Sequence, residues 1–276
     1  MESCHAPPAA DMRMGRTSDL SNSSKRLFQI TSGIIEYLDD QKEQGIIFTD
    51  RSVTRPSETP TGLQPSTGLS PAVSAQSQHI ETTRSETERG LLEIARRVAG
   101  CSTCHLCKQR TRTVPGQGSS TPEIMFVGEG PGADEDRQGL AFVGKAGKLL
   151  TQMIEAMGLT REEVFIGNIV KCRPPGNRAP TQDEMDACLH YLRDQIRLLR
   201  PRVIVALGAT AVRGLLDTKL GITKLRGTWM QFEGIDLMPT FHPAYLLRDA
   251  SKKKYAWEDL QSVLRHIGRE APPTSH

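Results

Sequence analysis

The run PRVIVALGATAVRGLL, Pro201 to Leu216, sets the tightest limit on the fold. Val203 to Leu207 are apolar without alternation, as in a strand covered on both faces, and Gly208 turns the chain straight into a helical pattern. Such a strand needs helices above and below it, which excludes a one-sided antiparallel sheet. The same alternation recurs along the chain. Strands are predicted at Ile124–Val127, Val164–Val170, Val203–Leu207 and Leu237–Thr240, and helices at Lys145–Met157, Thr181–Leu199, Ala209–Leu216 and Lys252–Ile267. Thr181 followed by Glu184 has capping-box spacing, which places one helix start. The expected fold class is α/β: three α/β/α layers around a central, mostly parallel four-stranded sheet, with ligands at the carboxyl ends of the strands.

The unit predicted to fold runs from residue 88, where ERGLLEIARRVAGC begins a helical pattern, to residue 270, leaving 271–276 as a tail. Residues 1–87 are expected to form a disordered N-terminal extension. Thr49 to about Ser85 is Ser, Thr, Pro and Gly with hardly a large apolar residue, too little to offset the entropy of ordering, and reads as linker. Within 24–44, Leu27, Ile30, Ile34, Ile35 and Leu38 recur at helical spacing; this segment is either a tethered helix that docks a partner protein or caps, or a simple packing helix. No run of about twenty apolar residues exists and the N-terminus lacks a secretory pattern, so a reducing, cytoplasmic location without membrane contact is expected. A net charge of +3 permits a polyanionic partner without demanding one.

In a reducing compartment, cysteines read as metal ligands or free thiols. CSTCHLC supplies Cys101, Cys104 and Cys107, and a later loop and helix supply Cys172 and Cys188. Two thiolates from a tight turn and two from distant elements suit zinc or an iron–sulfur cluster; unligated buried thiols are the alternative.

Two further stretches carry polar chemistry. In GEGPGADEDRQGLAFVG, Gly128, Gly130 and Gly132 let backbone approach a ligand around Glu129, and Phe142 follows. The pattern is not a P-loop, and Asp134, Glu135 and Asp136 would repel nucleotide phosphates. A tight βα turn with solvated acids is the plainer alternative. In PTFHPAYLLRDASKKK, His242 ends a strand and is followed by Arg248, Lys252, Lys253 and Lys254, a basic patch suited to a phosphate backbone.

Together these stretches resemble the family 4 uracil-DNA glycosylases, the thermostable-type branch that carries a four-iron four-sulfur cluster. GEGPGADED, GLAFVGKAGKLL, NIVKCRPPGNRAP, VIVALGATA and HPAYLLR occur in the expected order; residues 1–87 lie outside the resemblance. The resemblance implies a uracil-DNA glycosylase-like fold and one structural [4Fe-4S] cluster on Cys101, Cys104, Cys172 and Cys188, with Cys107 unassigned. It implies a monomeric, monofunctional enzyme that extrudes uracil from single- or double-stranded DNA and hydrolyses its N-glycosidic bond. In that case Phe142 stacks on the base, Asn168 reads its N3-H and O4, and further hydrogen bonds fix the Asn168 carboxamide in one orientation. Gly128 and Gly130 contact base or water. His242 donates to uracil O2, Glu129 orients water, as a general base or without taking its proton, or balances the sugar's charge, and Asn177 contacts the pocket or the water. Arg248 and Lys252 hold DNA on one flank and Lys171, Arg173 and Arg178 on the other. Asn177 stands where a related branch places a nucleophilic histidine, so turnover by water is expected. A non-catalytic DNA-binding module and a zinc-stabilised nucleotide hydrolase are the rival expectations.

Overall fold

The computed structural model describes residues 71–272, with side chains from residue 84 onward. The amphipathic segment expected at 24–44 lies outside the described residues. The first helix, α1 (Pro71–Ala99), begins well before the boundary expected near Glu88, so residues 71–85 of the predicted linker are helical. Burial of Ile94 and Val98 anchors the helix, and each upstream residue then adds to an existing nucleus. Pro71, as its first residue, gives up an amide that no helix could satisfy there.

Among the described residues the sheet has six strands, two more than expected. β1 (Gln117–Gly118), β2 (Ile124–Gly128), β3 (Phe165–Asn168), β4 (Val203–Leu207), β5 (Met230–Phe232) and β6 (Ile235–Thr240) lie in the order β1-β3-β2-β4-β6-β5. The inner four are parallel, in the register Gly128↔Asn168, Ile124↔Val203 and Leu207↔Thr240; the added edges β1 and β5 are antiparallel. The helices following β2 are α2 (Ala133–Gln138) and α3 (Lys145–Ala156), with α4 (Gln182–Leu199) after β3 and α5 (Gly208–Leu216) after β4. Then come α6 (Ile222–Leu225), α7 (Pro243–Arg248) and α8 (Lys253–His266).

Strand pleating sorts the core into two faces. Met125, Val127, Phe165, Ile204 and Ala206 pack with Ile94 and Val98 of α1, Leu192 and Ile196 of α4, and Val212 of α5. Ile124, Phe126, Ile166, Val203 and Val205 pack with Leu150 and Ile154 of α3 and Val263 and Leu264 of α8. These are the three layers expected, and the parallel strands are buried throughout. From β2 the chain moves to β3 on one side, then crosses to β4 on the other. A crevice at the carboxyl ends follows from that reversal. Among the described residues, no helix is long and apolar enough to cross a membrane.

Candidate active site

The crevice holds a cavity of about 540 Å³ lined by Glu129, Gly130, Phe142, Asn168, Asn177, Arg178, His242 and Arg248, among others. The structure therefore brings the aromatic, the amide and the imidazole expected of a site into one place. Each is delivered by a different segment: Asn168 closes β3, His242 follows β6, and Phe142 lies in the loop between α2 and α3.

Three close approaches shape the floor. A Cβ at Gly128 would lie 2.5 Å from both Asn168 Oδ1 and Phe142 Cζ. One at Gly130 would lie 2.6 Å from Val170 Cγ2. Gly208, at φ +88, lets β4 turn beneath His242, and a Cβ there would approach His242 Cβ to 2.9 Å. The glycines of the motif thus provide room.

Asn168 is buried, and among the described residues neither its Oδ1 nor its Nδ2 has a hydrogen-bond partner. Leaving both atoms of a buried carboxamide unpaired costs free energy, and such a pair on a cavity wall marks a site for a complementary edge. The expected hydrogen bonds fixing its orientation are absent, and Asn168 is held through its backbone instead.

Phe142 presents its ring 5.7 Å from the His242 ring, tilted by 34°. Its φ of +53 is one that a bulky residue adopts only when its surroundings impose it. Arg161, from the segment before β3, supplies that constraint by donating to Phe142 O at 3.2 Å and to Ala141 O at 2.7 Å. Glu135 braces the other side, accepting from Gly132 N, Val143 N and Gly144 N. Asp136 is buried and accepts from Thr111 N. Neither acid is the solvated charge that a plain turn would carry.

His242 Nδ1 accepts from Ala244 N at 3.1 Å, so the neutral ring carries its proton on Nε2. Burial, and then the Arg248 guanidinium, push the imidazole down to about 4, with Glu135 opposing. At neutral pH it is an uncharged donor.

The other predicted positions divide. Glu129 lines the cavity with Phe142, Asn168 and His242, and Arg248, the last residue of α7, stands at the same wall. Asn177 is exposed at the rim, at φ +56, and its Oδ1 accepts from Arg173 Nε at 2.7 Å. Arg178 lies at the rim and donates with both terminal nitrogens to Glu184. Lys252 is half-buried over the Tyr255 ring, where Lys254 also approaches. Lys171 must be corrected. It is fully buried, its ammonium donating to Asn168 O at 3.0 Å and Gln195 Oε1 at 2.7 Å, and burial draws it down to about 8. It does not face a phosphate, because the backbone after β3 turns its side chain inward. Sequence reading missed Arg161, Gln195 and Glu135; only Glu135 left a signal, three residues after a helix-capping glycine.

Cys101, Cys104, Cys172 and Cys188 line a second, enclosed pocket beside Tyr191. Arg110 donates to Cys172 Sγ and the Lys171 amide to Cys188 Sγ, as donors do to cluster thiolates. Burial pushes the Cys188 thiol up to about 12 and raises Cys172, so thiolates here need a bound cation. Among the described residues, no three His, Cys, Asp or Glu side chains converge on a point that suits a single ion. Cys107 lines the same pocket, and thiols from a tight turn, a loop and a helix around one void are a donor set of the kind that zinc or an iron–sulfur group takes.

Comparison with known proteins agrees with this geometry. Residues 115–261 match the family model of the uracil DNA glycosylase superfamily. The type-4 uracil-DNA glycosylase of Thermotoga maritima is 47% identical over 191 residues, covering 67% of this chain and 98% of that protein. That of Sulfurisphaera tokodaii is 46% identical over 183 residues, 63% of this chain and 83% of its own. A type-5 uracil-DNA glycosylase of Pyrobaculum aerophilum is more distant, 32% identical over 178 residues, 58% of this chain and 77% of its own. The superfamily match at residues 115–261 spans the stretch that carries Gly128, Phe142, Asn168 and His242, and by its identity to the type-4 proteins the chain belongs to the type-4 uracil-DNA glycosylase family.

Proposed function

We propose that this chain removes uracil from DNA by hydrolysing the N-glycosidic bond, leaving an abasic site for base excision repair. The observation that carries this reading is the unpaired Asn168 carboxamide, buried against the Phe142 ring and the neutral His242 donor in one cavity. A base inside a duplex cannot reach such a cavity, so the nucleotide must be extruded.

Once inside, uracil stacks on Phe142 and pairs with Asn168, its N3-H donating to Oδ1 and its O4 accepting from Nδ2. The bond between uracil N1 and C1′ then breaks with its electron pair staying on the base. Negative charge spreads to O2, where the His242 Nε2-H donates, and positive charge develops on the sugar. A neutral imidazole suits this role because it need not lose charge or solvent as the anion forms. Arg248, close enough to depress His242, favours the same anion. Water adds its oxygen to C1′ and its proton leaves to solvent or base. Glu129, on the cavity wall, orients that water or balances the sugar's charge, and Asn177 stands at the entrance.

Cys101, Cys104, Cys172 and Cys188 would hold the [4Fe-4S] cluster, which supplies cross-linking between the loop after α1, the segment after β3 and α4. Arg248 and Lys252 lie on one flank for DNA, Arg173 and Arg178 on the other. One chain supplies every group named, consistent with a monomer working beside DNA in the reducing cytoplasm. A purely binding module would have no use for an unpaired buried amide facing a neutral imidazole.

Incubation with a labelled uracil-containing oligonucleotide should render it alkali-sensitive at the uracil and release free uracil. Equal cutting of a uracil-free control, or no release at all, overturns the assignment.

A further inference from the structure

The unpaired carboxamide of Asn168 raises the question of what aims it. Its side chain accepts and donates nothing among the described residues, so its direction is inherited from the backbone and from the walls at Gly128 and Phe142. On one strand edge the backbone is fixed by pairing with Gly128, and the next amide, Ile169 N, donates to Gly128 O. Beyond Asn168 the strand ends, and its carbonyl oxygen accepts from the ammonium of Lys171 at 3.0 Å.

We propose that Lys171 is the positioning residue for the base-reading amide: its ammonium grips the Asn168 carbonyl and so sets how tightly uracil is recognised. The inference rests on the proposed function.

Lys171 is suited to this because it is itself held at several points. The same ammonium donates to Gln195 Oε1 at 2.7 Å on α4, and Gln195 Nε2 donates to Pro115 O at 2.7 Å. The Lys171 amide donates to Cys188 Sγ, and its carbonyl accepts from Val114 N. The lysine thus ties the end of β3 to α4 and to the segment before β1. Among the described residues none of its hydrogen-bond partners is a carboxylate, so the ammonium is buried there without a direct ion pair, an arrangement that a methionine of similar volume would avoid. What methionine lacks is the donor aimed at Asn168 O. The segment leading to Cys172 therefore links the cysteine pocket to the wall that reads the base, and Lys171 is its side-chain bond.

The test is a double-mutant cycle on the full-length, cluster-loaded protein. Lys171→Met is made alone and together with Asn168→Ala, and each protein is assayed for the Kd of free uracil and for kcat and KM on a uracil-containing oligonucleotide. If Lys171 acts through Asn168, Lys171→Met weakens uracil binding by about tenfold in the wild-type background, the size of coupling within one hydrogen-bond network, and by less than about twofold when Asn168 is already alanine. The same factor in both backgrounds, or unchanged uracil binding, overturns the proposal. Iron content and visible absorption matching wild type certify that each variant is folded and loaded. Should Lys171→Met fail that check, Gln195→Leu keeps the lysine and removes its second acceptor. A weaker loss that vanishes in the Asn168→Ala background supports the proposal, and a loss that persists there refutes it. Failure of the two ideas is distinguishable: no uracil release by the wild-type chain defeats the proposed function, whereas release that needs Asn168 with an additive cycle defeats only the role of Lys171.

Discussion

Arg161 donates to the carbonyl oxygen of Phe142 at 3.2 Å, and Phe142 occupies a left-handed backbone conformation at φ +53. The two facts are one arrangement. A left-handed residue with a Cβ costs about 1–2 kcal/mol, and the strain persists only where neighbours over-determine it. Arg161 also bonds Ala141 O and Thr151 Oγ1, so one guanidinium fastens the loop on both sides of the ring. Gly147 lets the loop approach α3, since a Cβ there would fall on the Phe142 carbonyl. Replacing Arg161 by methionine should free the ring to leave the stacking position and lower kcat/KM about tenfold or more, with a stability loss of about 1–3 kcal/mol from the orphaned carbonyls. Steady-state kinetics with a thermal melt check this; an unchanged kcat/KM in a folded variant would show that the ring holds its place unaided.

The neutral state of His242 sets a pH dependence. Its folded value is pushed to about 4, below the ordinary 6.5, by burial and by Arg248. The unfolded chain therefore takes up the proton first as pH falls. Stability from this residue is complete above about 6.5 and is withdrawn between there and about 4, by up to about 3 kcal/mol. The imidazole in the folded enzyme stays a neutral donor over that same window, so the acid limb of kcat/KM due to it should appear near pH 4. His242→Asn should remove this part of the stability slope and lower the rate by about a hundredfold or more. Urea melts at pH 5 and 7 with a pH–rate profile test both statements; an acid limb centred near 6.5 would mean that the ring is not buried as described.

Glu184 ties the cysteine pocket to the cavity rim. It is buried on α4, one turn before Cys188, and accepts from both terminal nitrogens of Arg178, from Thr181 N and from His105, the neighbour of Cys104. These bonds, led by Arg178, hold its carboxyl down at about 2, below the ordinary 4.5. Its stabilisation is thus complete above about 4.5 and is lost as pH falls toward 2. Because Arg178 is partly solvated, Glu184→Gln should cost only about 2 kcal/mol. The telling effect lies elsewhere: with the Cys104 loop less firmly tied to α4, an iron chelator should strip the variant several times faster than wild type. Decay of the visible absorption under chelator measures this, and identical decay would deny Glu184 any part in holding the two halves of the pocket together.

Much of this was legible because the decisive residues sit at strand ends. An apolar run that stops at Asn168, or at Thr240 before His242, puts the next polar side chain at the sheet's carboxyl edge, whatever the tertiary detail. The edges were not legible. β1 has two residues, too few for any period, and β5 joins β6 through Glu233 and Gly234, both at positive φ, where glutamate is not a usual sign of a hairpin. Lys171 was misread for a related reason: beyond a strand end the alternation lapses, and only the packing of α4 and Gln195 decides that the lysine points inward. Glu135 and Asp136 look solvated in sequence, yet amides of the following loop converge on Glu135 and that of Thr111, 25 residues upstream, meets Asp136.

Gly128 offers the sharpest test of the cavity. It ends β2 directly opposite Asn168, and an added Cβ would stand 2.5 Å from Asn168 Oδ1 and 2.5 Å from Phe142 Cζ. Real atoms do not approach so closely, so in Gly128→Ala either the ring or the amide must move. Both line the cavity proposed to receive the base. The backbone at Gly128 is not left-handed, so alanine meets no conformational penalty, and overpacking should cost about 1–3 kcal/mol. Activity should fall far more, by about a hundredfold or more, because displacement of about an ångström in a positioned group costs that much. Asn168→Ala, which makes room, should partly restore folding stability to the Gly128→Ala protein but not its activity. Comparing single and double variants in thermal melts and uracil release separates the two effects; near-normal turnover by Gly128→Ala would mean that the base is not seated between Phe142 and Asn168.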